Sequence, residues 1–298
     1  MSTLTDLSTA IAKVSAAVSA SVVGIGRHQR GSGIVIADGR VLTNAHNIRG
    51  DEVTVRFAGG RTVTGKLAGV DVDGDLAVIE ADTAGAKPLD WAKGGDLAVG
   101  SVVFGVAATS SGDPRVTFGT VSAISRAFRG PGGRRIAGSV EHTAPLASGS
   151  SGGPIVDPDG KLLGLNTNRI GEGFYLALPA DAALRERIDA LGRGESPRRR
   201  RLGVGVAPGH VARRLRRSVG LPDREGVLVR GVEDDSLAAS AGVQEGDLIV
   251  SIGGRAVADP DDLMDALDAA PASFDLGVVR GADDLTLKVS ESKGSKAN

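Results

Sequence analysis

The chain has 298 residues, 41% hydrophobic, 24% charged and only 3% aromatic, with a formal net charge of −1. That length supports two domains with cores of their own, and the balanced charge excludes a protein held on nucleic acid or membrane by bulk electrostatics. Cysteine is absent and His28, His46, His142 and His210 have no ligand spacing, so disulfides, thiolate chemistry, a metal or another cofactor are not expected.

Residues 1–20 lack the basic start and unbroken apolar run of an export signal, and no later stretch is long enough to span a bilayer. The sequence as it stands predicts a cytoplasmic protein, or an extracytoplasmic one if a signal or anchor precedes it. Leu4, Leu7, Ile11, Val14 and Val18 recur at helical spacing and predict a helix over 4–19. Its apolar stripe must be covered by its own domain or by another subunit.

From Ser21 the period falls to two. Strands are predicted over 33–37 and 40–44 around Asp38-Gly39, over 52–57 and 61–67 around Gly59-Gly60, and over 76–80 and 101–106. Others follow at 116–124, 139–142, 154–156, 161–167 and 174–178. Short strands at this spacing, with no helices between them, indicate antiparallel barrels or a sandwich. A helix opened by Asp181 closes this part, and residues 192–201, ending in Arg198, Arg199, Arg200 and Arg201, read as a linker. Without interleaved aromatics this arginine run, and Arg213, Arg214, Arg216 and Arg217 beyond it, read as solvated surface, so no nucleic acid partner is expected. Strands over 202–206, 226–232, 247–252, 274–279 and 285–289, with helices over 211–219, 236–241 and 261–269, predict a small α+β domain over 202–290. The polar tail 291–298 is expected to be disordered.

The chemistry centres on Ser151, in Gly149-Ser150-Ser151-Gly152-Gly153-Pro154. A serine hydroxyl is a weak nucleophile until a base takes its proton, and glycines beside it allow a turn that frees backbone N–H groups for a developing oxyanion. Gly-Ser runs are more often plain loops, so the candidate needs partners. His46 directly follows a predicted strand. Asp75 borders the apolar strand 76–80 at the end of a turn in which Asp71 and Asp73 read as turn and solvent residues.

The order His46, Asp75, Ser151, in the segments Thr43-Asn44-Ala45-His46, Asp75-Leu76-Ala77-Val78-Ile79 and Gly149 to Pro154, resembles the HtrA (high-temperature-requirement, DegP/DegQ-like) family of trypsin-fold serine proteases. The stretches Arg201-Leu202-Gly203-Val204 and Glu245-Gly246-Asp247-Leu248-Ile249-Val250-Ser251-Ile252 resemble a bacterial PDZ domain. The resemblance implies a mainly β fold, a chymotrypsin-like double six-stranded β-barrel over 21–191 behind a short amino-terminal helix over 1–20, then the linker and a PDZ domain. It implies His46 as base, Asp75 as its orienting carboxylate and Ser151 as nucleophile, with the oxyanion hole at Gly149 and Ser151. Leu146, Asn166, Thr167 and Asn168 are expected at the substrate, and Leu202, Gly203, Val204 and Leu263 at a peptide carboxy terminus. Polypeptide substrates, peptide carboxy termini and sister subunits in trimers are the implied partners.

Ser150 stands where the family commonly has Asn and Thr143 where it commonly has Asp, and the 27–31 loop is short. Pro145, in place of a trypsin-type acid, and Leu146 predict a small to medium apolar residue before the cut. The expected activity is endopeptidase action on unfolded or exposed segments in protein quality control. The alternative is a holdase or peptide-binding scaffold with a mostly inactive site.

Overall fold

The period-two stretch from Ser21 folds into two closed six-stranded barrels, every pairing antiparallel. The first closes in the order β1-β2-β3-β6-β5-β4 from β1 (Val22–Ile25), β2 (Gly31–Ala37), β3 (Arg40–Thr43), β4 (Glu52–Arg56), β5 (Thr62–Asp71) and β6 (Leu76–Glu80). The second closes as β10-β11-β12-β9-β8-β7 from β7 (Val102–Ala108), β8 (Pro114–Arg129), β9 (Arg135–His142), β10 (Pro154–Val156), β11 (Leu162–Ile170) and β12 (Phe174–Pro179). The computed structural model describes residues 3–93, 97–131, 133–197, 200–207 and 209–290. The barrels, with α1 (Thr3–Val18) and α2 (Ala182–Gly192), belong to one compact unit, Met1–Pro197; the other is Arg198–Asn298.

Neighbouring residues of the apolar strands go to different cores. Val23, Val35, Val41 and Ile79 fill the first barrel, whereas Val22, Ile34, Leu42 and Val78 join Phe104, Val106, Val156 and Leu165 of the second in a shared cluster. Burying an aliphatic side chain of this size stabilises by roughly 1.5–3 kcal/mol, so the seam between the barrels is itself a core. Adjacent apolar residues such as Val22 and Val23, or Val41 and Leu42, therefore serve different cores, and β1 is a strand that the period-two pattern did not single out. Val14 and Val18 of α1 and Leu184, Ile188 and Leu191 of α2 close the same cluster. The carboxy-terminal part of the first helix's stripe, Ile11, Val14 and Val18, is therefore covered by its own unit, whereas Leu7 stays half-buried outside the cluster.

Some boundaries differ from those expected. β8 reaches 16 residues because three register shifts against β9 absorb extra residues, with Ser125 at φ +55°. The expected linker does not begin at 192: Gly192 ends α2, and the Ser196 hydroxyl accepts the Val70 N–H at 3.0 Å. Arg198, Arg199 and the tail 291–298 lie outside the described residues.

In the second unit a sheet runs β13-β14-β15-β17-β18, built from β13 (Val204–Ala207), β14 (Val227–Val232), β15 (Leu248–Ile252), β17 (Ser273–Arg280) and β18 (Asp283–Ser290), with β16 (Arg255–Ala256) paired to β15. Its helices are α3 (Gly209–Ser218), α4 (Leu237–Ala241) and α5 (Pro260–Ala269). Ser236 and Asp259 cap α4 and α5, and Gly242 ends α4 at φ +81°. Ala238, Leu263, Ala266 and Leu267 turn inward onto Leu202, Val229, Ile249 and Val278. Asp247, 1% exposed, takes two hydrogen bonds of 2.8 Å from Arg280. Burial pushes its carboxyl up, but Arg280 and the Gln244 N–H outweigh that and hold it below the ordinary carboxylate value. The strand expected from 202 starts at Val204, leaving Leu202 and Gly203 in a turn.

Candidate active site

His46 sits in a 3-10 turn, Ala45–Asn47, that buries its two neighbours and turns the imidazole outward. Its Nδ1 lies 2.9 Å from Asp75 Oδ1 and 3.0 Å from Oδ2, so the carboxylate fixes the tautomer with hydrogen on Nδ1 and the lone pair on Nε2. Asp75 is 1% exposed, and its backbone adopts φ +54°, a left-handed conformation that short polar residues tolerate. That conformation is braced on both sides. The Asn44 side chain donates to the Asp75 carbonyl at 2.9 Å, and the Thr167 hydroxyl donates to Asp75 Oδ2.

Asp71 is not the solvent residue expected. It is 3% exposed, receives Arg187 of α2 at 2.7 Å and accepts the Gly74 N–H, so the turn carrying Asp75 is tied to the helix behind it. Asp73 also has a partner, Arg134, at 3.6 Å.

The Ser151 turn is held through its carbonyls by the other barrel. Ser32 donates its N–H to the Ser151 carbonyl at 2.8 Å and its hydroxyl to the Gly149 carbonyl at 2.8 Å. Asn47 adds a 2.9 Å bond to the Ser151 carbonyl. With the carbonyls tied back, the N–H groups of Gly149 and Ser151 find no acceptor among the described residues. Gly149 needs its glycine: φ is +83°, and a Cβ would stand 2.9 Å from the Gln29 carbonyl oxygen. The short loop expected at 27–31 therefore packs directly on this turn. The Ser151 hydroxyl donates to the Thr167 carbonyl at 3.1 Å rather than to His46.

His46, Asp75 and Ser151 line one cleft of about 470 Å³, with Leu146 and Asn166 to Arg169. Two of the expected substrate residues are engaged otherwise. Asn166 is 1% exposed, its backbone N–H and carbonyl are bonded to Gly153 and Gly152, and its side chain joins His142 and the Pro154 carbonyl. The Thr167 side chain serves Asp75. Leu146 and Asn168 stay on the cleft wall. The reason is the register shift of β11 against β12 between Asn166 and Asn168, which breaks the alternation assumed from sequence. Thr143 bonds Thr120 on β8, and Ser150 is buried.

His142, fully buried, was not singled out by sequence. Its Nε2 lies 2.9 Å from Asn166 Oδ1, its ring stacks on Tyr175, and its Nδ1 has no partner among the described residues. Burial pushes its pKa down to about 4, against a smaller opposing effect of Asn166. Asn44, Asn47 and Ser32 were also missed, although the two asparagines flanking His46 and the serine between Gly31 and Gly33 were visible signals.

In the second unit the Leu202 carbonyl accepts the Ala238 N–H at 2.8 Å and the Gly203 carbonyl the Glu233 N–H at 2.9 Å. The N–H groups of Leu202 and Gly203 donate to nothing among the described residues, and β13 is an edge strand. Leu263 is mostly core, 6% exposed.

Residues 31–165 match the trypsin-like peptidase domain family and residues 228–280 the PDZ domain family. The chain is 32% identical over 270 residues to a protein of Halomonas elongata named "Probable periplasmic serine endoprotease DegP-like", covering 88% of this chain and 54% of that one. A protein of the same name from Pseudomonas fluorescens is 35% identical over 260 residues, covering 84% and 53%. The chain thus spans about half the length of these curated relatives. A solved structure, "HtrA-type protease AlgW with decapeptide", superimposes with a TM-score of 0.72 at 23% identity, over 94% of this chain and 97% of that one, a likeness of fold.

Proposed function

Because the chain belongs to the HtrA family of trypsin-fold proteases with a PDZ domain, we propose that it is a serine endopeptidase acting on unfolded or exposed polypeptide segments in protein quality control. Ser151 Oγ attacks the scissile carbonyl while His46 Nε2 takes its proton. The oxyanion that forms is met by the N–H groups of Gly149 and Ser151. As the carbon–nitrogen bond breaks, His46 returns the proton to the leaving amine; water, deprotonated by His46, then hydrolyses the acyl-enzyme ester. Asp75 stays ionised throughout and stabilises the imidazolium. The observation that carries this reading is the buried Asp75 carboxylate on His46 Nδ1 at 2.9 Å, in the cleft that also holds Ser151.

The Leu202–Gly203 turn and the open edge of β13 support capture of a peptide carboxy terminus by strand addition. The periplasmic relatives support an extracytoplasmic place for the chain. Sister subunits remain part of the proposal, and a trimer would have to use surface other than Val14 and Val18, which are fully buried.

The test is labelling with a fluorophosphonate, mapped by mass spectrometry, beside casein hydrolysis. Wild type is expected to label at Ser151 and cleave casein, and Ser151→Ala to do neither. If both proteins leave casein intact and only suppress aggregation, the scaffold reading replaces this one.

A further inference from the structure

The charge around the cleft is one-sided. Asp75 is the only carboxylate among its lining residues, and its oxygens are committed to His46 and Thr167. Arg169 stands on the same wall, two residues past the carbonyl that holds the Ser151 hydroxyl. Its guanidinium is placed rather than trailing: Nε donates to the Gly171 carbonyl at 2.8 Å, and Cζ lies 5.9 Å from the centre of the Tyr175 ring. Nε is used there, so the fork of two Nη groups keeps the donors that match a carboxylate. Among the described residues no acid pairs with Arg169.

From this geometry, and resting on the proteolytic reading above, we infer that Arg169 selects substrates carrying an Asp or Glu side chain one to three residues before the cut. Leu146 and Tyr175 give the cleft apolar surface for the residue at the cut itself. A substrate laid antiparallel along 167–169, as all strands of these barrels pair, advances about 3.3 Å per residue and so brings its preceding residues past Arg169. The acid supplies what the wall lacks, and the guanidinium meets it with charge-assisted hydrogen bonds. Specificity at the cut stays apolar, with a second, electrostatic reading upstream of it.

Pairs of internally quenched peptides, identical but for Asp or Asn at one of those three positions, test this on the full chain. The Asp peptide is expected to be cleaved about tenfold better in kcat/KM at one position, with the advantage shrinking as salt is added. Arg129 lines the cleft too, so Arg169→Gln should remove most of the preference and Arg169→Glu reverse it, a change of sign that lost packing on Tyr175 would not produce. A wild-type ratio of one at all three positions, or a preference surviving in both variants, overturns the assignment. Casein run alongside separates the two readings: cleavage without charge preference removes only this inference, whereas an inert wild type removes the proteolytic reading as well.

Discussion

Two glycine turns, one in each unit, expose backbone N–H groups by the same device and differ in what holds them. At Gly149, φ +83°, the carbonyls are tied by Ser32 and Asn47, side chains 117 and 104 positions away on the other barrel. At Gly203, φ +79°, they are tied by backbone N–H groups of Glu233 and Ala238 within the same small unit. The first turn is tied across two barrels; the second is tied inside one sheet and its helices. That difference suits what each is proposed to meet. A transient oxyanion needs nucleophile, base and donors gathered from several strands. A peptide carboxylate carries its charge already and needs donors alone.

The largest effect that can break this comparison comes from Asp75. Asp75→Asn keeps the shape but leaves His46 free to take the wrong tautomer, and kcat on casein is expected to fall about 10⁴-fold. Binding of a labelled peptide with a free carboxy terminus, followed by anisotropy on the full chain, should not change. A loss of activity under tenfold would remove Asp75 from the mechanism; a parallel loss of peptide binding would mean that the two turns are not independent.

Next in size is a pH effect confined to the first turn's unit. His142 titrates near 4 in the folded chain against an ordinary value of 6.5, so between these limits the unfolded chain holds a proton that the folded one refuses. Stability fully present above about pH 6.5 is therefore lost as pH falls toward 4, by about 3 kcal/mol at most. His142→Gln should flatten that slope. Trp91, the only tryptophan, lies in the first unit and reports its denaturation by fluorescence. Equal slopes in both proteins between pH 7.5 and 4.5 would acquit His142.

What sequence conveyed follows the same divide. Period, turn residues and caps are local, and they placed the barrel strands other than β1, the Asp181 cap and the helices of the second unit, mostly to within a few residues. The order His46, Asp75, Ser151 was legible because acyl transfer requires those residue types. Partners across the seam were not legible. Asp71 looked like a solvent residue because Arg187, which buries it, lies 116 positions on. The side chains of Asn166 and Thr167 looked free to meet substrate because the register shift of β11 against β12 leaves no mark in the hydrophobic pattern. A one-dimensional pattern carries turn chemistry and period; it carries no distance between barrels.

The smallest effect is the sharpest for the comparison, because it touches only the support of the first turn. Ser32 is fully buried, and its hydroxyl donates to Gly149 while accepting the Ala108 N–H at 3.0 Å. Ser32→Ala strips both groups of a partner, at about 1–3 kcal/mol before any relaxation. The cheapest relaxation is a change of the backbone torsions at Gly149 itself, since glycine tolerates either sign of φ, and a change of φ there reorients the Gly149 N–H, an oxyanion donor. The donor matters only once charge has developed on the substrate oxygen, so kcat should fall about tenfold with KM nearly unchanged. His46 and Asp75 keep their bond, so the pH dependence of kcat/KM should stay where it was. A rise in KM with kcat intact would mean that Ser32 shapes substrate binding instead, and that the carbonyl ties at Gly149 do not organise the N–H groups as those at Gly203 do.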